Sequence, residues 1–160
     1  MQFIVLESLT KIQSRWPMES PKIIERLLAI SFDPKRGGFE VESKSTVGVD
    51  ICLVKPPIKY APEVKTTSSS EVLLQEKDIV GLAQKYKKDG YTPCVVALRI
   101  DLPENWVVAR ASRLDVGTYQ MARLALDSIA DLEATAQFYF EDAVLEFTSD
   151  ILNPKTGTPL

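Results

Sequence analysis

The sequence predicts an α/β domain, because segments with helical periodicity alternate with short runs of β-branched and other apolar residues. Ser20–Phe32 begins with a Ser-Pro pair and repeats its apolar residues at helical spacing. Residues 76–88 show the same spacing and end before a glycine. Two apolar runs, residues 48–54 and 58–65, flank a pair of prolines. This arrangement predicts a hairpin of two strands that lies between two helices.

The remaining elements extend this plan in both directions. Residues 38–42 alternate as a short strand, and residues 92–100 and 106–111 are two further candidate strands. The pattern from Thr118 to Leu152 is helical, with a break near Asp131. We therefore expect an N-terminal helix or apolar arm at residues 1–19, a core at 20–114, a helical extension at 115–152 and a disordered tail at 153–160.

Composition excludes several kinds of chemistry. The 160 residues include no histidine, which excludes histidine bases, Ser-His-Asp triads and zinc sites built on histidine. Cys52 and Cys94 both fall in predicted strands, and we expect them to be buried apolar residues rather than a disulfide. No apolar run reaches the roughly 20 residues of a membrane span, and the N-terminus lacks a basic signal region. We expect a cytoplasmic protein without a membrane partner.

The charge is unevenly distributed along the chain. Net charge is −3, but residues 101–150 hold ten acidic residues against three arginines, so the rest of the chain is net positive. Seven lysines of that remainder belong to the predicted hairpin and the helix after it: Lys55, Lys59, Lys65, Lys77, Lys85, Lys87 and Lys88. We expect them to surround the site, and a local basic face of this kind suits the phosphates of DNA.

The hairpin carries the candidate site. Strand alternation places Glu63 and Lys65 on one face and Val64 on the other. Asp50 belongs to the neighbouring strand, between two apolar residues. Two carboxylates that lie close together repel each other unless a cation sits between them, and hard divalent ions such as Mg²⁺ take oxygen ligands. We expect the lysine to orient or deprotonate a water molecule, or to stabilise the charge on a phosphate.

These residues resemble the motif of the PD-(D/E)XK nuclease superfamily, and most closely that of archaeal Holliday-junction resolvases and restriction-endonuclease-like proteins. The matching stretches are Gly-Val-Asp-Ile around Asp50, Glu-Val-Lys-Thr-Thr from Glu63, and the Gly-x-x-Pro turn at Gly90. The resemblance implies a restriction-endonuclease-like core of helix, three-stranded meander, helix and strand, here with a C-terminal helical extension. It also implies a Mg²⁺-dependent DNA endonuclease, for which Mn²⁺ would substitute, and a homodimer that cuts two strands.

The resemblance also assigns roles to single residues. Asp50, Glu63 and the backbone carbonyl of Val64 would hold the metal ion, and Lys65 would position the attacking water. The family often adds a glutamate from the first helix, for which Glu25 is the better match and Glu19 the alternative. The remaining candidates are contacts to the DNA backbone: Thr66, Thr67, Lys77, Arg36 and Lys44.

Alternatives stay open at this point. Pro62 lies inside the Glu-x-Lys strand, and a proline there predicts an edge strand or a bulge, because proline cannot donate to a sheet ladder. The chain could also be a nuclease-fold subunit that binds DNA or assembles without cleavage. A small-molecule α/β enzyme is the third possibility, although the sequence has neither a Gly-x-Gly-x-x-Gly motif nor a P-loop.

Overall fold

The computed structural model of the chain describes residues 2–42, 51–102, 106–155, 157 and 159. A central β-sheet carries α-helices on both faces. The helices are α1 (Phe3–Arg15), α2 (Ser20–Phe32), α3 (Glu76–Asp89), the single turn α4 (Met121–Leu124) and α5 (Ala130–Leu152). The strands are β1 (Glu40–Glu42), β2 (Cys52–Lys55), β3 (Ile58–Thr67), β4 (Glu71–Leu74), β5 (Thr92–Arg99), β6 (Trp106–Arg110) and β7 (Gly117–Gln120).

Five strands form the central sheet in the order β1-β2-β3-β5-β6. The β1-β2, β2-β3 and β5-β6 pairs are antiparallel, whereas β3 and β5 are parallel. Parallel strands need a long crossover connection, and α3 lies within the one between β3 and β5. The predicted mixed α/β architecture is therefore confirmed, and it places β3 in the middle of the sheet.

Each face of the sheet packs against a different set of elements. Cys94, Val96 and Leu98 of β5 belong to the apolar cluster that includes residues of α1, α2 and α5. The alternate residues Val95 and Ala97 point to the other face, which α3, α4 and the β4-β7 ribbon cover. Burial on both faces explains why β5 reads as one continuous apolar run rather than as an alternating pattern.

The hairpin forms as predicted, with Lys55 opposite Ile58 on the two sides of the prolines. The expectation that Pro62 marks an edge strand is wrong, because β3 has a partner on both sides. The Pro62 carbonyl accepts a hydrogen bond from the Ile51 N–H at 3.4 Å, so the missing proline N–H also faces the β2 side. There the β2 strand has just begun, at Cys52, and the central strand therefore tolerates the proline at little cost.

Two strands were not predicted. Residues 71–74 precede the predicted helix. Val72 and Leu74 are buried with Leu73 exposed between them, which is the period of a strand. Their partner β7 lies where the helical pattern was expected to start, at Thr118. The predicted helix begins instead with α4 and, after an interruption that includes Ser128, continues as α5.

The C-terminal helix is part of the main core. Phe140, Ala143 and Val144 of α5 are fully buried in the cluster that α1 and α2 share. Cys52 and Cys94 are both free and buried, as expected. Among the described residues, no helix combines the length and the apolar composition that a membrane crossing requires.

Replacement of a core leucine tests this packing. Leu98 of β5 is 0% exposed, and we expect Leu98→Ala to lower the free energy of unfolding by about 2–5 kcal/mol through lost burial and the cavity left behind. Leu126 is 87% exposed, and the same substitution there should change it by less than about 0.5 kcal/mol. Urea unfolding of both variants measures the difference, and equal losses would contradict the packing described.

Candidate active site

The middle of β3 brings a buried acid and a lysine together. Glu63 is 4% exposed, and its Oε1 accepts a hydrogen bond from the Lys65 Nζ at 2.8 Å. Val64, between them, packs against the cluster on the opposite face. Because alternate residues of a strand share a face, Glu63 and Lys65 point toward the side of the sheet that α3 covers.

A second buried carboxylate completes this group, and sequence reasoning missed it. Asp78 lies in the first turn of α3, is 3% exposed, and its Oδ2 lies 2.8 Å from the Lys65 Nζ. The ammonium of Lys65 therefore bridges two carboxylates, and we call Glu63, Lys65 and Asp78 the buried charge cluster. An isolated buried charge is costly, so pairing of this kind is what allows both acids to remain in the interior.

The helix start holds Asp78 in place. Its Oδ2 also accepts a hydrogen bond from the backbone N–H of Gln75 at 2.8 Å, which satisfies a donor that the helix itself leaves unpaired. The partial positive charge at a helix N-terminus favours an anion at this position. The sequence signal is a helix that begins after the polar Gln75 and has an acid at its third position.

The charge states follow from these contacts. Burial alone would lower the pKa of the Lys65 ammonium, but hydrogen bonds to Asp78 and Glu63 outweigh it and hold that pKa above its ordinary value. Burial alone would raise the pKa of the Asp78 carboxyl, yet the hydrogen bonds from Lys65 and Gln75 hold it below its ordinary value. Lys65 is thus a persistent cation here, suited to orient a water molecule rather than to deprotonate one.

Two of the residues that the sequence singled out, Asp50 and Lys44, lie outside the described residues. Ile51, the next residue after Asp50, donates its N–H to the carbonyl of Pro62, the residue before Glu63. Within the described ranges, no group of three or more His, Cys, Asp and Glu side chains is arranged to hold a metal ion.

The donor chemistry of the buried charge cluster fits a hard divalent cation. Two acidic side chains share one ammonium in a largely buried position. Carboxylate oxygens are the ligands that Mg²⁺ prefers in proteins. The two acids alone do not complete a coordination shell, but their oxygens are of the kind that such an ion binds.

Glu25 lies in α2, on the helical layer that packs against the Val64 side of the sheet. It is 5% exposed, and its carboxylate oxygens accept hydrogen bonds of 2.7 and 2.6 Å from the Lys22 Nζ. Glu19, the alternative, is an exposed residue at the N-terminus of the same helix. The structure therefore gives Glu25 a cationic partner within its own helix.

The proposed DNA contacts differ in their surroundings. Thr66 and Thr67 are half-buried at the end of β3, where they line a cleft of about 560 Å³ together with Thr10, Ser68 and Asp101. Lys77 is exposed in the first turn of α3, next to the buried Asp78. Hydroxyls and an ammonium in these positions are available to phosphates.

Arg36 is engaged within the protein. Its guanidinium donates hydrogen bonds to Asp33, at 3.0 Å, and to Glu146 of α5, and its side chain is 19% exposed. This pairing joins the turn after α2 to the C-terminal helix, which argues against Arg36 as a phosphate contact.

Part of the expected basic surround lies away from the site. Lys85, Lys87 and Lys88 belong to the last turns of α3, roughly 10–15 Å along the helix axis from Asp78 at 1.5 Å per residue. The Lys85 Nζ lies 4.7 Å from the centre of the Tyr91 ring, and the Lys59 Nζ lies 5.4 Å from it. These lysines form a separate basic group at the opposite end of the helix.

No protein-family model matches the sequence, and no curated protein matches it. One of the solved structures that resemble the chain is Hjc, a Holliday junction resolvase from the archaeal hyperthermophile Archaeoglobus fulgidus. The TM-score is 0.58 at 18% sequence identity, and the match covers 74% of this chain and 98% of that one. The chain has the fold of a Holliday junction resolvase. At 18% identity, the likeness shows the resolvase fold and assigns no chemistry to this chain.

Acid titration tests the buried charge cluster within the resolvase fold. Because the pKa of Asp78 is lowered on folding, the stability it contributes is present above its unfolded pKa of about 3.9 and is lost as the pH falls through the folded value. We expect Asp78→Asn to cost about 1–3 kcal/mol at neutral pH, and this deficit to shrink below about pH 4. Urea unfolding at several pH values measures it; a deficit that stays constant into acid would contradict the assignment.

Proposed function

We propose that the chain is a metal-dependent DNA endonuclease that hydrolyses phosphodiester bonds, either structure-selective toward Holliday-like junctions or restriction-like. The observation that carries the proposal is the pairing of Glu63 with Lys65 in the central strand of a resolvase fold. The Glu-x-Lys spacing places an acid and a cation on one face of β3, which is the arrangement that a metal-assisted phosphodiesterase uses.

Asp50, Glu63 and the backbone carbonyl of Val64 would hold Mg²⁺, with Mn²⁺ as a substitute, and the ion would supply positive charge against the scissile phosphate. Lys65, kept protonated by its two carboxylates, orients the attacking water and donates to a phosphate oxygen. Thr66, Thr67 and Lys77 contact the DNA backbone beside the cut. Lys44 remains a further proposed backbone contact.

We further propose a homodimer, because two symmetric sites suit the cleavage of two strands. The apolar side chains exposed on neighbouring helices support this proposal. Phe138 of α5 is 68% exposed and Leu145, two turns later, is 41% exposed, while Phe3 and Ile4 of α1 are also exposed. Phe138 and Leu145 lie two turns apart and therefore share one face of α5, and exposed apolar residues that share a face are typical of a contact surface.

Removal of the site lysine tests the chemistry directly. We expect Lys65→Ala to reduce Mg²⁺-dependent cleavage of a four-way junction and of plasmid DNA by at least about 100-fold, because the water loses its orienting cation. Glu63→Gln, which removes the proposed ligand charge, should have an equal or larger effect. The control is Lys85→Ala, at the far end of α3, which should cleave at the wild-type rate. Wild-type cleavage by both site variants would remove these residues from the reaction.

A second candidate is a nuclease-fold subunit that binds DNA or assembles without cleavage. The observation that favours it is the burial of Glu63, whose charge Lys65 already compensates within the protein. A structural ion pair of this kind has no need of a metal. Calorimetric titration with Mn²⁺ separates the two functions, since we expect the endonuclease to bind the ion and the inactive subunit to give no heat.

A further inference from the structure

We propose that Asp78 is a positioning residue that takes over the Lys65 ammonium when a divalent cation occupies Glu63. The inference rests on the proposed function, because it concerns the same site. It adds a residue from α3 to a site that the sequence motif confines to the hairpin, and it explains how one lysine serves an acid that must also bind a metal ion.

Lys65 already contacts the acid that would bind the metal ion. The Lys65 Nζ lies 2.8 Å from the Glu63 Oε1 and so occupies one of the two oxygens that a metal ion could take. A cation that approached Glu63 would meet a competing ammonium in a largely buried position, where like charges repel strongly. The ammonium therefore needs a second anion within reach if it is to stay in the site while Glu63 changes partner.

Asp78 is in position to act as that second anion. Its Oδ2 lies 2.8 Å from the same Nζ, so the ammonium changes partner without a large movement. The backbone N–H of Gln75 holds the same oxygen at 2.8 Å, and the carboxylate is 3% exposed, so water does not compete for it. A rigid, buried acceptor on the helix keeps the Lys65 ammonium directed at the site after its hydrogen bond to Glu63 has broken.

The alternative is that Asp78 only caps α3. An Asp78→Asn variant separates the two roles, because the asparagine oxygen still accepts from the Gln75 N–H but no longer offers Lys65 a charge. Asp78→Glu keeps the charge, and a glutamate in the same position of a helix start also reaches back to the backbone. Glu76→Gln is the matched control, since it removes one charge from the same turn at an exposed position.

The experiment measures Mn²⁺ affinity by calorimetry in the absence of DNA, with thermal unfolding as a check that each variant is folded. We expect Asp78→Asn to weaken Mn²⁺ binding by on the order of tenfold, whereas Asp78→Glu and Glu76→Gln stay within about threefold of the wild type. If Asp78 is only a cap, all of these proteins will bind Mn²⁺ alike, and that result would overturn the inference.

A second pair of variants distinguishes a positioning residue from a direct metal ligand. Lys65→Met removes the competing ammonium, and we expect it to tighten Mn²⁺ binding more in the Asp78→Asn background than in the wild type, where Asp78 already relieves the competition. Equal gains, or a larger gain in the wild type, would contradict the takeover. If Lys65→Met does not fold, the comparison of Asp78→Asn with Asp78→Glu still tests whether the charge of Asp78, beyond its cap, affects Mn²⁺ binding, and equal affinities of these two variants would overturn the inference.

These outcomes are separable from those of the proposed function. The variants could show the expected order of Mn²⁺ affinities while the protein leaves four-way junctions and plasmid uncut. That result would support the role of Asp78 and contradict the proposed endonuclease activity. The protein could instead cleave DNA while its Asp78→Asn variant binds Mn²⁺ as the wild type does. That result would support the endonuclease activity and contradict the role of Asp78. A wild-type protein that binds no Mn²⁺ would overturn both.

Discussion

The bridge that Lys65 makes between Glu63 and Asp78 is the interaction on which the account of this molecule depends. It joins the central strand of the sheet to the first turn of α3 through two buried acids and a partly buried ammonium. Buried charges cost free energy unless they are paired. The cluster therefore adds little to the free energy of folding but fixes the relative positions of its three side chains. A buried acid beside a persistent cation is also the kind of perturbed group that marks functional sites.

The fold explains why these three side chains meet. β3 pairs with a strand on each side, and its parallel partner β5 is reached only through the crossover that contains α3. The crossover brings the helix start back over the face of β3 from which Glu63 and Lys65 project. The β4 strand, inserted just before the helix, sets where that start lies. A helix that began earlier, at Leu73, would not place Asp78 in its first turn.

Much of this architecture could be predicted because the decisive patterns are local. The Ser-Pro start and the apolar spacing of α2 predicted both of its ends correctly. The prolines between β2 and β3 predicted the hairpin. Predictions failed where a long-range partner decides. Val72 and Leu74 are too few to distinguish a strand from a helix, and only pairing with β7 makes them β4. Pro62 suggested an edge strand, yet its missing N–H falls where the β2 ladder ends.

The same difference between local patterns and long-range partners applies to the candidate site. Alternation put Glu63 and Lys65 on one face, but Asp78 joins them from beyond residues 68–77, which carry no motif of the site. Arg36 is paired with an acid on the C-terminal helix. The central claim is that Glu63 takes a divalent ion while Asp78 retains Lys65. A crystal soaked in Mn²⁺ tests it most directly through anomalous scattering. We predict an anomalous peak within about 2.3 Å of a Glu63 oxygen, with the Lys65 ammonium on Asp78. Lys65 still bonded to Glu63, with no peak there, would contradict the account.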